Sequence, residues 1–95
     1  MNQVPTNEQR RIWFSGRVQG VGFRYTAFAI AERMAVVGYV RNLADGRVYL
    51  VVEGSPDELD RYIGVVQQQM AGNITSMETE QLRANGEFDE FHIRW

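Results

Sequence analysis

Residues 12–34 read IWFSGRVQGVGFRYTAFAIAERM and contain the change of hydrophobic period that decides the fold. Over the first part, Ile12 to Val18, an apolar face alternates with a more polar one, which is typical of a half-buried β-strand. From Phe23 the apolar residues fall on one helical stripe and alanine is frequent, so a helix begins there. The stretch therefore predicts a strand, a glycine-spaced loop and a helix in direct succession.

Further strands and a second helix are predicted downstream. The predicted elements after the first helix are strands at 37–42 and 47–53, a helix that begins at the Ser55–Glu58 capping box and ends near Gly72, and strands at 75–82 and 90–95. The order β-α-β-β-α-β predicts an α+β, ferredoxin-like sandwich: an antiparallel sheet with two helices on one face, extended by a short C-terminal strand.

This topology is expected to bring two distant positions together. In a strand–helix–strand crossover the first two strands run in the same direction, so the loop after Val18 and the strand end at Asn42 emerge at one edge of the sheet. If one strand lies between them, the gap is about 10 Å, or roughly two strand spacings. An arginine in the loop, Arg24, can largely cross that gap.

The loop itself has the features of an anion-binding site. Gly20 and Gly22 can adopt backbone angles closed to other residues and leave the peptide N–H groups accessible. The helix adds the partial positive charge of its N-terminus, and the Arg24 guanidinium offers a planar fork of donors. The loop lacks the Gly-Lys-Ser/Thr of a Walker A motif and the third glycine of a dinucleotide fingerprint. It therefore predicts a site for a phosphoryl group rather than for a nucleotide.

Length and composition limit the classes of function. The chain has 95 residues, which suits one domain, and we assign residues 1–10 to a flexible tail and residues 11–95 to the domain. A formal charge of −2 disfavours a general affinity for nucleic acids or anionic membranes. Without cysteine, neither a disulfide framework nor a thiolate nucleophile is possible. We expect a cytoplasmic monomer that has no nucleic-acid or membrane partner.

Two motifs carry a family resemblance. Gly16–Arg24 (GRVQGVGFR) and Gly38–Asn42 (GYVRN), in this order, resemble the first and second signatures of the acylphosphatases. The resemblance covers all but the first ten or so residues, and Phe91–Trp95 (FHIRW) is similar to the closing strand of that family. It implies that Arg24 binds the phosphate and that Asn42 positions the attacking water.

The activity implied by the resemblance is hydrolysis of a carboxyl phosphate anhydride. Water held by Asn42 attacks phosphorus in line, while loop amides and the Arg24 guanidinium hold the phosphoryl oxygens. The loop residues assigned to this role are Gln19, Gly20, Val21, Gly22, Phe23 and Arg24. Inorganic phosphate is expected as product and competitive inhibitor, and no metal or cofactor is implied. The loop leaves the acyl end of the substrate unspecified.

Two other interpretations remain open from the sequence. RNA-recognition domains share this element order and stack bases on aromatics of the first and third strands, where Trp13 and Tyr49 stand here. A phosphate-sensing domain without catalysis is the second. By spacing alone, Asn42 could equally cap its own backbone beside the Asp45-Gly46 turn. His92, on the alternate face of the last strand, is expected at the surface.

Overall fold

Residues 6–95, the part of the chain that the computed structural model describes, form a five-stranded sheet and two helices. The elements are β1 (Glu8–Gly16), α1 (Phe23–Ala31), β2 (Val37–Asn42), β3 (Val48–Gly54), α2 (Pro56–Gln69), β4 (Ile74–Arg83) and β5 (Phe91–Arg94). No helix within this range is long and apolar enough to cross a membrane.

The strands lie side by side in the order β4-β1-β3-β2-β5. β1 pairs antiparallel with β3 and β4, and β2 pairs antiparallel with β3. β1 and β2 therefore run in the same direction with one strand between them, and the α+β, ferredoxin-like prediction is confirmed. β5 departs from the predicted antiparallel sheet because it pairs in parallel with β2. The connection from β4 carries the chain to the opposite edge of the sheet, where β5 enters in the direction of β2.

The core lies between the two helices and one face of the sheet. The alternating residues Ile12 and Phe14 of β1 are fully buried there. Apolar residues recur in α2 at helical spacing, which predicts one buried stripe, and its members are buried: Leu59, Tyr62, Ile63, Val66 and Met70. The Tyr62 hydroxyl donates a hydrogen bond of 2.8 Å to the backbone oxygen of Ala27 in α1. This bond joins the two helices inside the core.

The connection between β4 and β5 is fastened to β3 by a buried carboxylate. Glu53, which is 3% exposed, accepts hydrogen bonds from the backbone N–H groups of Asn85 at 3.2 Å and Gly86 at 3.3 Å. Further along the connection, the Phe88 ring lies 5.8 Å from the Tyr39 ring of β2. These contacts hold the segment that delivers β5 to the edge of the sheet.

β1 begins and ends earlier than predicted. It begins at Glu8 rather than Ile12, because residues 8–10 pair with both β3 and β4. These three residues of the predicted tail therefore lie in the sheet, while residues 1–5 of that tail lie outside the described residues.

The end of β1 is set by a glycine. The strand ends at Gly16 rather than Val18, where the register with β4 shifts. Gly16 has a φ of 125°, and a Cβ atom there would collide with the backbone oxygen of Asn73. The other strand boundaries agree with the predictions to within one residue, and α2 ends at Gln69 rather than near Gly72.

Ser55 caps α2 as predicted, but the second half of the capping box is replaced. The Ser55 hydroxyl oxygen accepts a hydrogen bond of 3.3 Å from the backbone N–H of Glu58. The Glu58 carboxylate, expected to return to the Ser55 N–H, instead accepts from the backbone N–H of Ala35 at 2.9 Å. It therefore ties the start of α2 to the turn that leads into β2.

Candidate active site

One cavity, at the end of the sheet where β1 leads into α1 and where β2 ends, collects residues from separate parts of the chain. Its volume is about 330 Å³. The residues that line it are Val18, Gly20, Gly22, Phe23, Arg24, Tyr25, Asn42, Ile93 and Trp95. Arg24 and Asn42, predicted from two separate motifs, therefore line the same cavity.

The loop between β1 and α1 depends on glycine for its backbone angles rather than for space. Gly20 has a φ of 75° and Gly22 a φ of 80°, in the left-handed region that other residues rarely adopt. A Cβ atom added at either position would meet nothing within 4 Å. The two glycines thus give the loop its curvature, and neither places a side chain between the loop backbone and the cavity that it lines.

The N-terminus of α1 is an unneutralised source of positive potential. The first backbone hydrogen bond of the helix runs from the Thr26 N–H to the Gly22 oxygen at 2.9 Å. Within residues 6–95, no N–H of residues 19–25 donates to a backbone carbonyl, and Gly22 supplies no side-chain cap. The first turn contains no acidic residue. Free N–H groups and the helix dipole together favour an anion here.

Arg24 lies in this first turn, and its guanidinium packs against β5 and the residue that follows it. The Nη1 group donates to the backbone oxygen of Arg94 at 3.3 Å, and Cζ lies 4.1 Å from the centre of the Trp95 ring. A guanidinium has five N–H donors, so this contact leaves donors available for a ligand. Stacking on the indole restricts the plane in which they lie.

Asn42 is the last residue of β2 and presents a buried acceptor. Among the described residues, its Oδ1 is the side-chain polar atom that is both buried and without a hydrogen-bond partner. Such an atom loses its hydration without compensation, at a cost of about 1–3 kcal/mol. Oδ1 is closed to water in the observed side-chain conformation, so Asn42 would have to rotate to present it to a water in the cavity that it lines.

Gln19 and Val21, which were assigned to the phosphate-binding loop, do not line the cavity with their side chains. The Gln19 amide instead donates to two backbone oxygens of the β2–β3 turn, to Leu43 at 2.7 Å and to Arg47 at 2.9 Å. It therefore ties the loop to the turn that directly follows Asn42. The assignment of the Gln19 N–H to phosphate binding stays a prediction.

Four wall residues were not among the predicted site residues: Val18, Tyr25, Ile93 and Trp95. Ile93 and Trp95 alternate with His92 and Arg94, so the sequence does show that they share a face. The sequence does not show where in the sheet that strand lies. Only the pairing of β5 with β2 brings this face to the cavity.

Other candidate groups lie away from the cavity. The His92 side chain is half-exposed and its Nδ1 is 3.6 Å from a Glu90 carboxylate oxygen, in agreement with the predicted surface position. Arg17 and Arg41, whose sequence positions beside the loop and Asn42 make them candidate cations near the site, are exposed and do not line the cavity.

The face of the sheet away from the helices carries the two aromatics that an RNA-recognition interpretation requires. The Trp13 and Tyr49 rings lie 4.9 Å apart. In the register of β1 with β4, however, Glu78 stands opposite Trp13 and Glu80 opposite Arg11. These carboxylates give the surface mixed charge, whereas single-stranded RNA requires a basic one.

Comparisons with known proteins agree on one family. A family model described as Acylphosphatase matches residues 10–93. An acylphosphatase of Koribacter versatilis is 37% identical over 93 residues, which cover 97% of this chain and 84% of that relative. One of Paenarthrobacter aurescens is 41% identical over 80 residues, covering 83% of this chain and 85% of the relative. The crystal structure of acylphosphatase from Bacillus subtilis has a TM-score of 0.83 to this chain at 31% identity, covering 93% of this chain and 99% of the other.

Proposed function

This chain belongs to the acylphosphatase family and is an acylphosphatase, and we propose that the cavity between the β1–α1 loop and the end of β2 is where it hydrolyses acyl phosphates. The observation that carries the proposal is the meeting of three features in one cavity. These are the free N–H groups at the start of α1, the Arg24 guanidinium and the unpartnered Oδ1 of Asn42.

The phosphoryl group binds at the positive end of the cavity. Backbone N–H groups of residues 19–24 and the Arg24 guanidinium hold its equatorial oxygens, and both sets of donors are in place before the reaction. Because negative charge shifts among these oxygens in the transition state, preorganised donors stabilise it more than water does. Arg24 contributes charge and orientation together, since its fork matches two oxygens at once.

Asn42 binds the attacking water. Its Oδ1 accepts a hydrogen bond from that water, whose oxygen attacks phosphorus opposite the carboxyl oxygen. The P–O bond to the acyl group breaks, its electron pair leaves on the carboxylate, and the protons of the water remain with the phosphate product. A carboxylate is a good leaving group, so positioning and charge stabilisation account for most of what the residues must do.

The first test is hydrolysis of acetyl phosphate with a chelator present. We expect turnover, and inorganic phosphate acts as a competitive inhibitor because it occupies the same cradle. Arg24→Ala lowers kcat/KM about a hundredfold to a thousandfold, the scale for one preorganised donor. Arg33→Ala, at an exposed arginine in the turn after α1, is the matched control and keeps the activity.

Each result of this test has a definite meaning. Full activity of a folded Arg24→Ala variant contradicts the role given to Arg24. Phosphate binding without turnover in the wild-type chain favours the phosphate-sensing alternative. Loss of turnover on addition of chelator contradicts a mechanism that uses these protein groups alone.

The setting of the enzyme is also part of the proposal. We infer that it acts as a monomer in the cytoplasm on small acyl phosphates, without a nucleic-acid or membrane partner. The formal charge of −2 supports this because it gives no general attraction to polyanions. Light scattering after size-exclusion chromatography measures the mass in solution, and a dimer at micromolar concentration contradicts the monomer.

A further inference from the structure

Large hydrophobic side chains are exposed around the candidate cavity. Within residues 6–95, the exposed members of this class are Val21 at 37%, Tyr25 at 69% and Trp95 at 87%. They come from the loop, from α1 and from the residue after β5. Tyr25 and Trp95 line the cavity, and Val21 lies between Gly20 and Gly22, which line it too. We refer to Val21, Tyr25 and Trp95 as the apolar rim.

The cavity is larger than a phosphoryl group requires. Its volume is about 330 Å³. A phosphate ion has five heavy atoms and fills at most about half of this volume, at roughly 30 Å³ for each water-sized atom. Apart from Arg24, Asn42 and the two glycines, the residues that line the cavity are apolar or aromatic: Val18, Phe23, Tyr25, Ile93 and Trp95. The space left beside the phosphoryl group is therefore bounded mainly by apolar groups.

We propose that the apolar rim is the binding site for the acyl end of the substrate and selects aromatic or other bulky apolar acyl phosphates over small ones. This inference rests on the proposed function, because it places the phosphoryl group at Arg24 and Asn42. An acyl phosphate has an anionic end joined to an acyl end, and the cavity is lined both by a cation, Arg24, and by apolar side chains next to it. The exposed area of Tyr25 and Trp95 is then removed from water when substrate binds.

An aromatic acyl group suits this rim better than a linear one of equal size. Tyr25 and Trp95 are both flat and π-rich, and such rings pair with another ring in offset or edge-to-face contacts. The Arg24 guanidinium over Trp95 holds the indole beside the phosphate cradle, so the bound acyl group lies next to the reacting bond.

The test measures how strongly each variant prefers one of two substrates, rather than its activity on a single substrate. The ratio of kcat/KM for benzoyl phosphate to kcat/KM for acetyl phosphate is measured for the wild type, Tyr25→Ala and Trp95→Ala. Comparing this ratio between a variant and the wild type cancels the intrinsic reactivity of each substrate and any loss, caused by moving Arg24, that affects both substrates equally. We expect a wild-type ratio well above ten and a fall of about tenfold in each variant, as for the loss of one apolar contact in a pocket. Trp13→Ala, at an aromatic on the far face of the sheet, keeps the wild-type ratio.

A binding measurement separates this inference from the proposed function. Benzylphosphonate and methylphosphonate carry the two kinds of group on a P–C bond that is not hydrolysed, and their Kd values are measured by calorimetry. Tyr25→Ala and Trp95→Ala are expected to weaken benzylphosphonate about tenfold and methylphosphonate less than threefold. The role of the rim is overturned if the variants bind both phosphonates more weakly by the same factor. It is also overturned if both variants keep the wild-type ratio of kcat/KM values. Absence of any acyl phosphate hydrolysis by the wild type overturns the proposed function instead.

Discussion

At the scale of single residues, Asn42 and Arg24 are both held in arrangements that cost stability. The buried Oδ1 of Asn42 has no partner, and Arg24 is a cation in the first turn of α1, where the helix dipole is also positive. Under the proposed function, a bound group removes each cost: a water for Asn42 and a phosphoryl oxygen for Arg24. Unfavourable placement of this kind is common where a protein is shaped for a ligand rather than for stability.

Asn42→Ala tests whether the Asn42 side chain lowers stability while it supports catalysis. We expect kcat to fall about a hundredfold, because a misplaced nucleophile costs this much, while the inhibition constant of phosphate stays within threefold. The free energy of unfolding, from urea titration, stays equal or rises by about 1 kcal/mol, since an unsatisfied buried acceptor is removed. A structural cap would behave in the opposite way, with a less stable chain and an unchanged kcat.

At the scale of elements, the site depends on a link between a loop and a turn that belong to different strands. The Gln19 side chain connects the β1–α1 loop to the backbone oxygens of Leu43 and Arg47, on either side of the β2–β3 turn. Asn42 directly precedes this turn. The link therefore fixes the β1–α1 loop relative to Asn42, although Gln19 itself does not line the cavity.

Gln19→Leu removes both hydrogen bonds and keeps a side chain of similar reach. We expect kcat/KM to fall about tenfold, because loss of the link lets the loop and Asn42 shift relative to each other. The unfolding free energy falls by about 1–2 kcal/mol for two lost hydrogen bonds. Gln68→Leu, at an exposed glutamine of α2, serves as the control with unchanged kcat/KM. A Gln19→Leu variant that lost stability but kept kcat/KM would leave Gln19 with a purely structural role.

At the scale of the whole molecule, the hydrogen bond that joins α1 and α2 makes the free energy of unfolding depend on pH in the alkaline range. Tyr62 is fully buried and its hydroxyl donates to the Ala27 oxygen. Burial raises the pKa of Tyr62 far above the ordinary tyrosine value. The folded chain therefore keeps this proton at a pH where the unfolded chain has released it, and stability falls as the pH rises above about 10.

Tyr62→Phe isolates this effect. At pH 7 the variant is expected to be about 1 kcal/mol less stable than the wild type, because one buried hydrogen bond is lost. Above pH 10 the difference shrinks by about 1.4 kcal/mol per pH unit, since the wild type alone loses the contribution of this proton. Burial also raises the pKa of Tyr49, but both proteins contain that residue, so its contribution cancels in the difference between their unfolding free energies. Urea titrations at pH 7, 9, 10 and 11 measure the difference in unfolding free energy between the two proteins. A difference that does not change with pH contradicts the prediction.

Features that depend on neighbouring residues could be predicted from the sequence alone. The change of period at Phe23, the cap at Ser55 and the buried stripe of α2 follow from local spacing and are present as predicted. The order of elements also implied that β1 and β2 run in the same direction, which brings Arg24 and Asn42 to one cavity. The roles of these two residues came from the motif resemblance rather than from physical reasoning, which left a capping role open for Asn42.

The contacts that join distant segments could not be predicted and are known only from the folded chain. The Glu58 carboxylate reaches Ala35, the Gln19 amide reaches the β2–β3 turn, and β5 lies beside β2 so that Trp95 meets Arg24. Local periodicity shows which side chains share a face, but it contains no information about which element that face will meet. That choice depends on the strand order and on the path of residues 84–90 from one edge of the sheet to the other, which the long-range packing of the folded chain determines.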